Sequence, residues 1–179
     1  MRVRGSRFLP ANTYTVKLEG AEIAGYQSVT IGSIRDPFMI RQFDDWLARL
    51  KEKLAARFEM VYSDTLSPDD YFINFRTYGK DGTMGTLEPV KEITSHELCL
   101  VCEITAKTQS LANDLSGIYR HQALHLPIPE WHGLITGLAT PYNPSYLERG
   151  PVARFNINHV VLPESPLEMF PIEYHDLSA

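Results

Sequence analysis

Residues 36–58, DPFMIRQFDDWLARLKEKLAARF, hold the strongest folding signal in the chain. Asp36 followed by Pro37 is typical of a helix N-cap and the first helical position. Apolar side chains then recur at helical spacing, and charged side chains occupy the other faces. The stretch therefore predicts one long amphipathic helix that packs its apolar face on a sheet. The apolar positions are Ile40, Phe43, Leu47, Leu50, Leu54 and Phe58.

Two extended segments precede this helix. Residues 14–19 alternate apolar with polar side chains, which indicates a half-exposed strand. Residues 26–34 form a second extended stretch with apolar side chains in phase. Because Gly20 and Gly25 punctuate the connection between the two segments, we expect a hairpin.

The rest of the chain predicts three more strands and one more helix. Residues 71–78 and 97–106 have the period-two pattern and the β-type side chains of strands. Thr108 or Ser110 is placed to cap a second helix, and residues 152–161 predict the final strand.

The order of elements predicts the fold class. Strand, helix, strand, strand, helix and strand follow one another, with an extra strand at the N-terminus. This order is typical of an α+β, ferredoxin-like split β-α-β sandwich, in which two helices cover one face of a mainly antiparallel sheet. We expect a single domain over residues 1–179, with residues 163–179 as an extended tail. An apolar segment at 133–139 is left unassigned.

Composition excludes several classes of protein. Of the 179 residues, 44% are hydrophobic and 22% are charged, which is typical of a globular chain rather than a disordered one. The net charge of −5 gives no basic surface for nucleic acid. No apolar run approaches the roughly 20 residues of a membrane span, and residues 1–10 lack the apolar core of a secretory signal.

The two cysteines, Cys99 and Cys102, have the Cys-x-x-Cys spacing of redox and zinc sites. They lie within the predicted strand 97–106, so their thiols should point to opposite faces. A redox pair is normally placed at a helix N-terminus, and a zinc site needs a second pair of ligands. We therefore interpret both cysteines as small hydrophobic residues in a cytoplasmic protein.

Residues 150–172, GPVARFNINHVVLPESPLEMFPI, combine the last strand with a proline-rich tail. The tail still carries Leu167, Met169 and Phe170, and an extended apolar segment normally needs another surface to lie against. This combination suggests a component of a larger assembly.

Several strings of the sequence resemble the C-terminal half of the acyclic terpene utilisation AtuA family. They are GSRFLPANTYTVKLEGAEIAGYQSVTIGSIRDP, YGKDGTMGTLEP, GLATPYNPS, GPVARFNINHVV and PLEMFPI, and together they reach from residue 5 to residue 172. The resemblance implies metabolism of a carboxylic acid or its acyl-CoA thioester.

The chain begins where the larger N-terminal α/β region of that family should already have ended. The resemblance therefore implies a small subunit whose active site is completed in trans by a larger AtuA-like chain. The alternative is a non-catalytic assembly module, and a homo-oligomer is also compatible with the sequence. No cofactor is indicated.

The first candidate site is the loop YGKDGTMG with the glutamate that follows it. Glycines at three-residue spacing can expose successive backbone amides to an anion, and a lysine adds positive charge. The alternative is a hairpin loop whose glycines only supply unusual backbone angles. The residues concerned are Gly79, Lys80, Asp81, Gly82, Gly85 and Glu88.

Three further positions remain open between functional and structural interpretations. Arg35 could hold a carboxylate beside the helix N-terminus or form an interface. His121 and His125, four apart on a helix, have metal-ligand spacing, but the sequence assigns no third ligand, so we predict no metal site. His159 shares a strand face with Phe155, and is either a buried structural histidine or a general acid or base.

Overall fold

The computed structural model of the protein describes residues 2–130 and 137–177. Within these residues the chain is a mixed α+β structure with three α-helices and one four-stranded antiparallel sheet. Short 3₁₀ turns connect several of the elements. The elements are β1 (Val16–Ile34), α1 (Pro37–Arg41), α2 (Phe43–Tyr62), β2 (Tyr71–Tyr78), β3 (Leu98–Ala106), α3 (Gln109–His125) and β4 (Tyr146–Val161).

The predicted helix after Asp36 forms, but as two helices. The Asp36 carboxylate accepts a hydrogen bond from the Phe38 amide at 2.8 Å, which confirms the N-cap. The helix breaks at Gln42, whose φ of −106° and ψ of 16° are not helical. Its amide donates to the Met39 carbonyl, three residues back, at 3.2 Å. Such a tightened turn ends α1, so the prediction of one continuous helix was wrong.

The four strands lie in the order β2-β3-β1-β4. β3 is antiparallel to β1, from Tyr26 opposite Ala106 to Ile34 opposite Leu98. It is also antiparallel to β2, from Tyr71 opposite Ala106. The predicted strands at 71–78 and 97–106 are therefore confirmed, the second to within one residue. β2 and β4 form the two edges of the sheet.

The predicted N-terminal hairpin does not form. Residues 16–34 make one long strand that contains both Gly20 and Gly25. At Gly25 an added Cβ would lie 2.6 Å from the Ala106 carbonyl oxygen, so this glycine permits close approach of β3 rather than a turn. The prediction of an extra N-terminal strand was therefore wrong. The last strand, in turn, begins at Tyr146 rather than at residue 152.

Alternate residues of β3 supply the sheet side of the core. Leu98, Leu100, Cys102 and Ile104 are buried in one hydrophobic cluster with residues of α2 and α3. Cys99 lies on the opposite face, as the strand pattern predicted, and is half-buried. Both thiols are free. Burial raises the pKa of the Cys102 thiol well above its ordinary value, with a smaller effect from Glu103.

The buried stripe of α2 is turned slightly from the predicted one. Trp46 is fully buried and its indole N–H donates to the Leu126 carbonyl at 3.1 Å, whereas Leu47 is only partly buried. Each large apolar side chain buried in this way contributes on the order of 1.5–3 kcal/mol before conformational entropy opposes it. The stripe consists of Phe43, Trp46, Leu50, Leu54 and Phe58.

The span predicted as one domain contains two compact units. The core unit is Ile23–Ala153 and holds the whole hydrophobic cluster. The terminal unit is Met1–Glu22 together with Arg154–Ala179. Its residues 162–177 have no helix or strand, although two turn hydrogen bonds form at Glu168 and Phe170.

No helix among the described residues has both the length and the apolar character needed to cross a bilayer. Residues 131–136 lie outside the described part of the chain, and they include most of the apolar segment 133–139 that the sequence left unassigned.

Candidate functional site

The glycine-rich loop after β2 closes on the carbonyl oxygen of Thr77. This oxygen accepts hydrogen bonds from the amides of Lys80, Asp81 and Gly82, at 3.2, 3.1 and 2.8 Å. A Cβ on Gly82 would lie 2.8 Å from the Thr77 carbonyl carbon, so only glycine allows this close approach. The three consecutive amides that an anion would need therefore already donate to a carbonyl of the protein itself.

Lys80 is held between two carboxylates. Its ammonium lies 2.7 Å from Asp44 at the start of α2 and 3.1 Å from Asp81 in the loop. The pKa of Lys80 is raised: partial burial lowers it, but the hydrogen bonds and charges of the two aspartates together outweigh the burial. The positive charge is therefore balanced internally and ties the loop to α2.

The remaining loop residues also use their polar groups locally. The Gly85 amide donates to the Asp81 carbonyl at 2.7 Å, and the Glu88 amide donates to the Gly85 carbonyl at 3.1 Å. The Glu88 carboxylate accepts from the Val90 amide at 3.0 Å. Beside the loop lies an open groove of about 420 Å³ that also contacts Arg76.

Arg35 stands apart from this loop. It is exposed immediately before the Asp36 cap of α1, and forms no hydrogen bond or ion pair with another described residue. The residues lining the groove beside the loop do not include it. The structure therefore does not bring Arg35 and the loop into that groove together.

His159 lies in the β4 part of the terminal unit and is exposed. The alternative of a buried structural histidine is therefore wrong, and its strand neighbours Phe155 and Ile157 are exposed as well. Its imidazole has no hydrogen-bond or ion-pair partner among the described residues. It is therefore available to another molecule.

The two helical histidines contact each other through their rings. The rings of His121 and His125 lie edge to face, with centroids 4.9 Å apart, and both side chains are exposed. In the part of the chain that the structure describes, no three His, Cys, Asp or Glu side chains are placed to share a metal ion.

A polar network between β1, α3 and β4 was missed by the sequence reasoning. The Gln109 side-chain amide donates to the Ser28 hydroxyl at 2.9 Å and to the Asn113 oxygen at 2.9 Å. Asn113 donates in turn to Glu148 at 2.6 Å. The one sequence signal is a hydroxyl residue within the predicted strand 26–34: Ser28 is fully buried there, and a buried polar side chain normally has a hydrogen-bond partner.

An open groove of about 430 Å³ adjoins this network along α2 and α3. Burial raises the pKa of Tyr62 in its wall, and the charge of Asp114 raises it further. Charged groups of both signs line the groove, so it offers hydrogen bonds but no single charge preference. The polar lining consists of Arg57, Tyr62, Asn113, Asp114, His121, Gln122 and Tyr146.

The residues predicted as a site thus occupy three settings: a self-closed loop, an exposed position before α1, and an exposed strand of the terminal unit. No family model, no curated protein and no solved structure matches this chain. Support for its function therefore comes from the fold, the side-chain geometry and the sequence strings described above.

Proposed function

We propose that this chain is a non-catalytic assembly subunit that stabilises a larger partner chain through its terminal unit. The observation that carries the proposal is the exposure of that unit. Val16, at 9% exposure, is its only buried residue among those described. Large apolar side chains are instead left in water: Phe8, Leu9, Phe155, Leu162, Leu167, Phe170 and Ile172.

The exposed side chains of the terminal unit favour binding to a partner. A pair of strands without a covered face is marginally stable in water. Ordering its residues costs conformational entropy, which buried apolar area normally offsets. A partner surface laid against the terminal unit would supply that burial. Large apolar side chains that remain exposed are typical of protein–protein interaction sites when they adjoin one another.

The same geometry argues against a self-contained active site built from the residues that the sequence predicted. The amides of Lys80, Asp81 and Gly82 are already donated, and Lys80 is paired with two carboxylates. Enzyme sites normally gather several polar groups around one pocket. The groove beside the loop lacks Arg35 among its lining residues.

A second candidate keeps a catalytic role. As a small subunit of an AtuA-type enzyme, the chain would help a larger AtuA-like partner to act on a carboxylic acid or acyl-CoA thioester. Two observations favour it beyond the sequence strings: Arg35 and His159 are exposed and have no partner among the described residues. Both are free to complete a site that another chain supplies.

Two finer assignments belong to the same proposal. The split β-α-β, ferredoxin-like arrangement is supported by the element order together with the sheet order β2-β3-β1-β4. A cytoplasmic location is supported by the two free thiols, Cys99 and Cys102.

The test is recovery of the tagged chain with its partners from its own cell extract, under native conditions. We expect a larger chain at stoichiometric ratio. Replacing Leu167 and Phe170 together by aspartate should abolish recovery, because both side chains are exposed in the tail. The control is Phe72→Asp on β2, a side chain at least as exposed as the two in the tail, but in the core unit.

Loss of the partner in the control variant, or no larger partner with the natural chain, would contradict the assembly role. The recovered complex is then assayed with acyl-CoA substrates. If His159→Ala removes activity while the complex stays intact, the catalytic candidate replaces the non-catalytic one.

A further inference from the structure

β4 is an edge strand whose two parts are protected very differently. Residues 146–151 carry Glu148, Arg149 and Pro151, and charges and proline are the usual means of blocking unwanted strand pairing. Residues 152–161, VARFNINHVV, contain no proline and a single residue charged at neutral pH, Arg154. That charge is paired with Glu22 at 2.8 Å. The second part is therefore an open edge with high strand propensity.

We propose that residues 152–161 pair antiparallel with the same residues of a second copy of this chain, with Ile157 opposite Ile157 of that copy. β4 has only β1 beside it, and no other backbone hydrogen bond reaches residues 152–161 from the described part of the chain. An edge of this kind presents unpaired amide and carbonyl groups to a partner strand. The inference deepens the assembly role proposed above and rests on it.

The sequence of the segment is complementary to itself in this register. Pairing centred on Ile157 places Asn156 opposite Asn158, so that the side-chain amides can bond to each other. Phe155 then lies opposite His159 on the other face. Each pair joins two odd-numbered or two even-numbered residues. The side chains of one strand face therefore lie beside those of the same face of the other copy. A shift of one residue would set apolar against polar positions.

Charge does not oppose the association. Arg154 is balanced by Glu22, and Lys17 by Glu19 at 2.5 Å. Like charges facing each other across paired strands would destabilise them, and this register brings none together at neutral pH. A second copy also converts two strands into four, which is above the minimum for an independently stable sheet.

The experiment measures the mass of the purified full-length chain by size-exclusion chromatography with light scattering at several concentrations. We expect twice the monomer mass. Ile157→Lys should return the chain to the monomer, because two lysines would face each other at the centre of the pairing. The matched control is Leu147→Lys on the protected part of β4, which should remain dimeric. Both natural side chains are exposed, so both variants should fold.

Disulfide trapping tests the register separately. Directly opposite residues of antiparallel strands have Cα atoms about 4.5–5.5 Å apart, which is within disulfide reach. In a Cys99→Ser background, Ile157→Cys should form a covalent dimer under mild oxidation, whereas Leu147→Cys should not. Cys102 is buried and does not compete.

A monomer at all concentrations, a dimer that survives Ile157→Lys, or trapping at Leu147→Cys would overturn the inference. Failure of Ile157→Cys to form a covalent dimer would also overturn it. A different result contradicts the assembly role, namely that no larger chain is recovered with the tagged protein from the cell extract. The dimer is measured with purified chain alone, so the two failures are distinguishable.

Discussion

Lys80 joins two segments that are distant in the sequence. Its ammonium bridges Asp44 on α2 and Asp81 in the loop, and its side chain is only 20% exposed. The same residue type could serve an anion site, but here its charge is already used. The loop geometry therefore supports an anchoring role for Lys80.

Replacing Lys80 by methionine should lower the free energy of unfolding by about 0.5–1 kcal/mol, because its partner Asp44 is 68% exposed and solvent screens the ion pair. The raised pKa of Lys80 fixes the sign of the pH effect. Its contribution is complete below the ordinary pKa of 10.5 and is lost as pH rises through the higher folded value.

Urea unfolding at neutral pH measures this loss, and Asp44→Asn in a double-mutant cycle isolates the pair. Phosphate provides the contrast with an anion site. If phosphate stabilises the natural chain but not the Lys80→Met variant, the anchoring interpretation is wrong.

Asp70 gives a prediction at acid pH. The hydrogen bond from Lys107, followed by that from the Ser67 amide at 2.9 Å, lowers the pKa of this carboxyl below its ordinary 3.8. The stabilisation is complete above pH 3.8 and disappears as pH falls through the folded value.

Asp70→Asn should therefore destabilise the protein at pH 7 but much less at pH 2.5. Thermal unfolding across this range checks the difference. Asp69→Asn, one residue away and exposed, is the control and should show no comparable convergence. An equal loss from Asp70→Asn at both pH values would exclude the titration of Asp70 as the cause.

At the scale of the element, α2 depends on one buried hydrogen bond as well as on its apolar stripe. Trp46→Phe keeps an aromatic ring but leaves the Leu126 carbonyl without its indole donor. The expected loss is about 1–3 kcal/mol, the range for an unsatisfied buried polar group. Chemical unfolding measures it, with the exposed substitution Phe72→Leu as a control expected within about 0.5 kcal/mol. Equal losses in the two variants would contradict the role of this bond.

The helices and strands differ in how well the local sequence predicts them. Periodicity was sufficient for β2, β3 and most of the helical stripe, because in these segments burial follows the repeat of the backbone. It was insufficient at Gly25, where a glycine typical of turns lies inside a strand and admits the Ala106 carbonyl. It also missed the break at Gln42, since nothing in that residue's type disfavours a helix.

At the scale of the whole molecule, stability should be divided between the two compact units. The hydrophobic cluster lies entirely in the core unit, and the terminal unit buries only Val16 among its described residues. Amide hydrogen exchange should therefore be slowest in β3, which is paired on both sides, and fastest in residues 162–177. Protection of the tail equal to that of β3 would contradict this division.

The candidate site was predicted only in part. The Asp36 cap and the turn character of residues 79–85 follow from residue type, because proline, aspartate and glycine restrict or release the backbone locally. The network of Ser28, Gln109 and Asn113 could not be predicted, since its members come from separate elements whose side chains meet only after the helix packs on the sheet.

The sequence by itself determined the composition class, the mixed α+β content, the position of most strands and helices, and the opposite facing of Cys99 and Cys102. These depend on interactions between near neighbours in the chain. Tertiary structure alone decided that Lys80 bonds to Asp44, that β1 is one continuous strand, and that His159 is exposed. Burial and pairing depend on which distant residues come together, and local periodicity does not encode that choice.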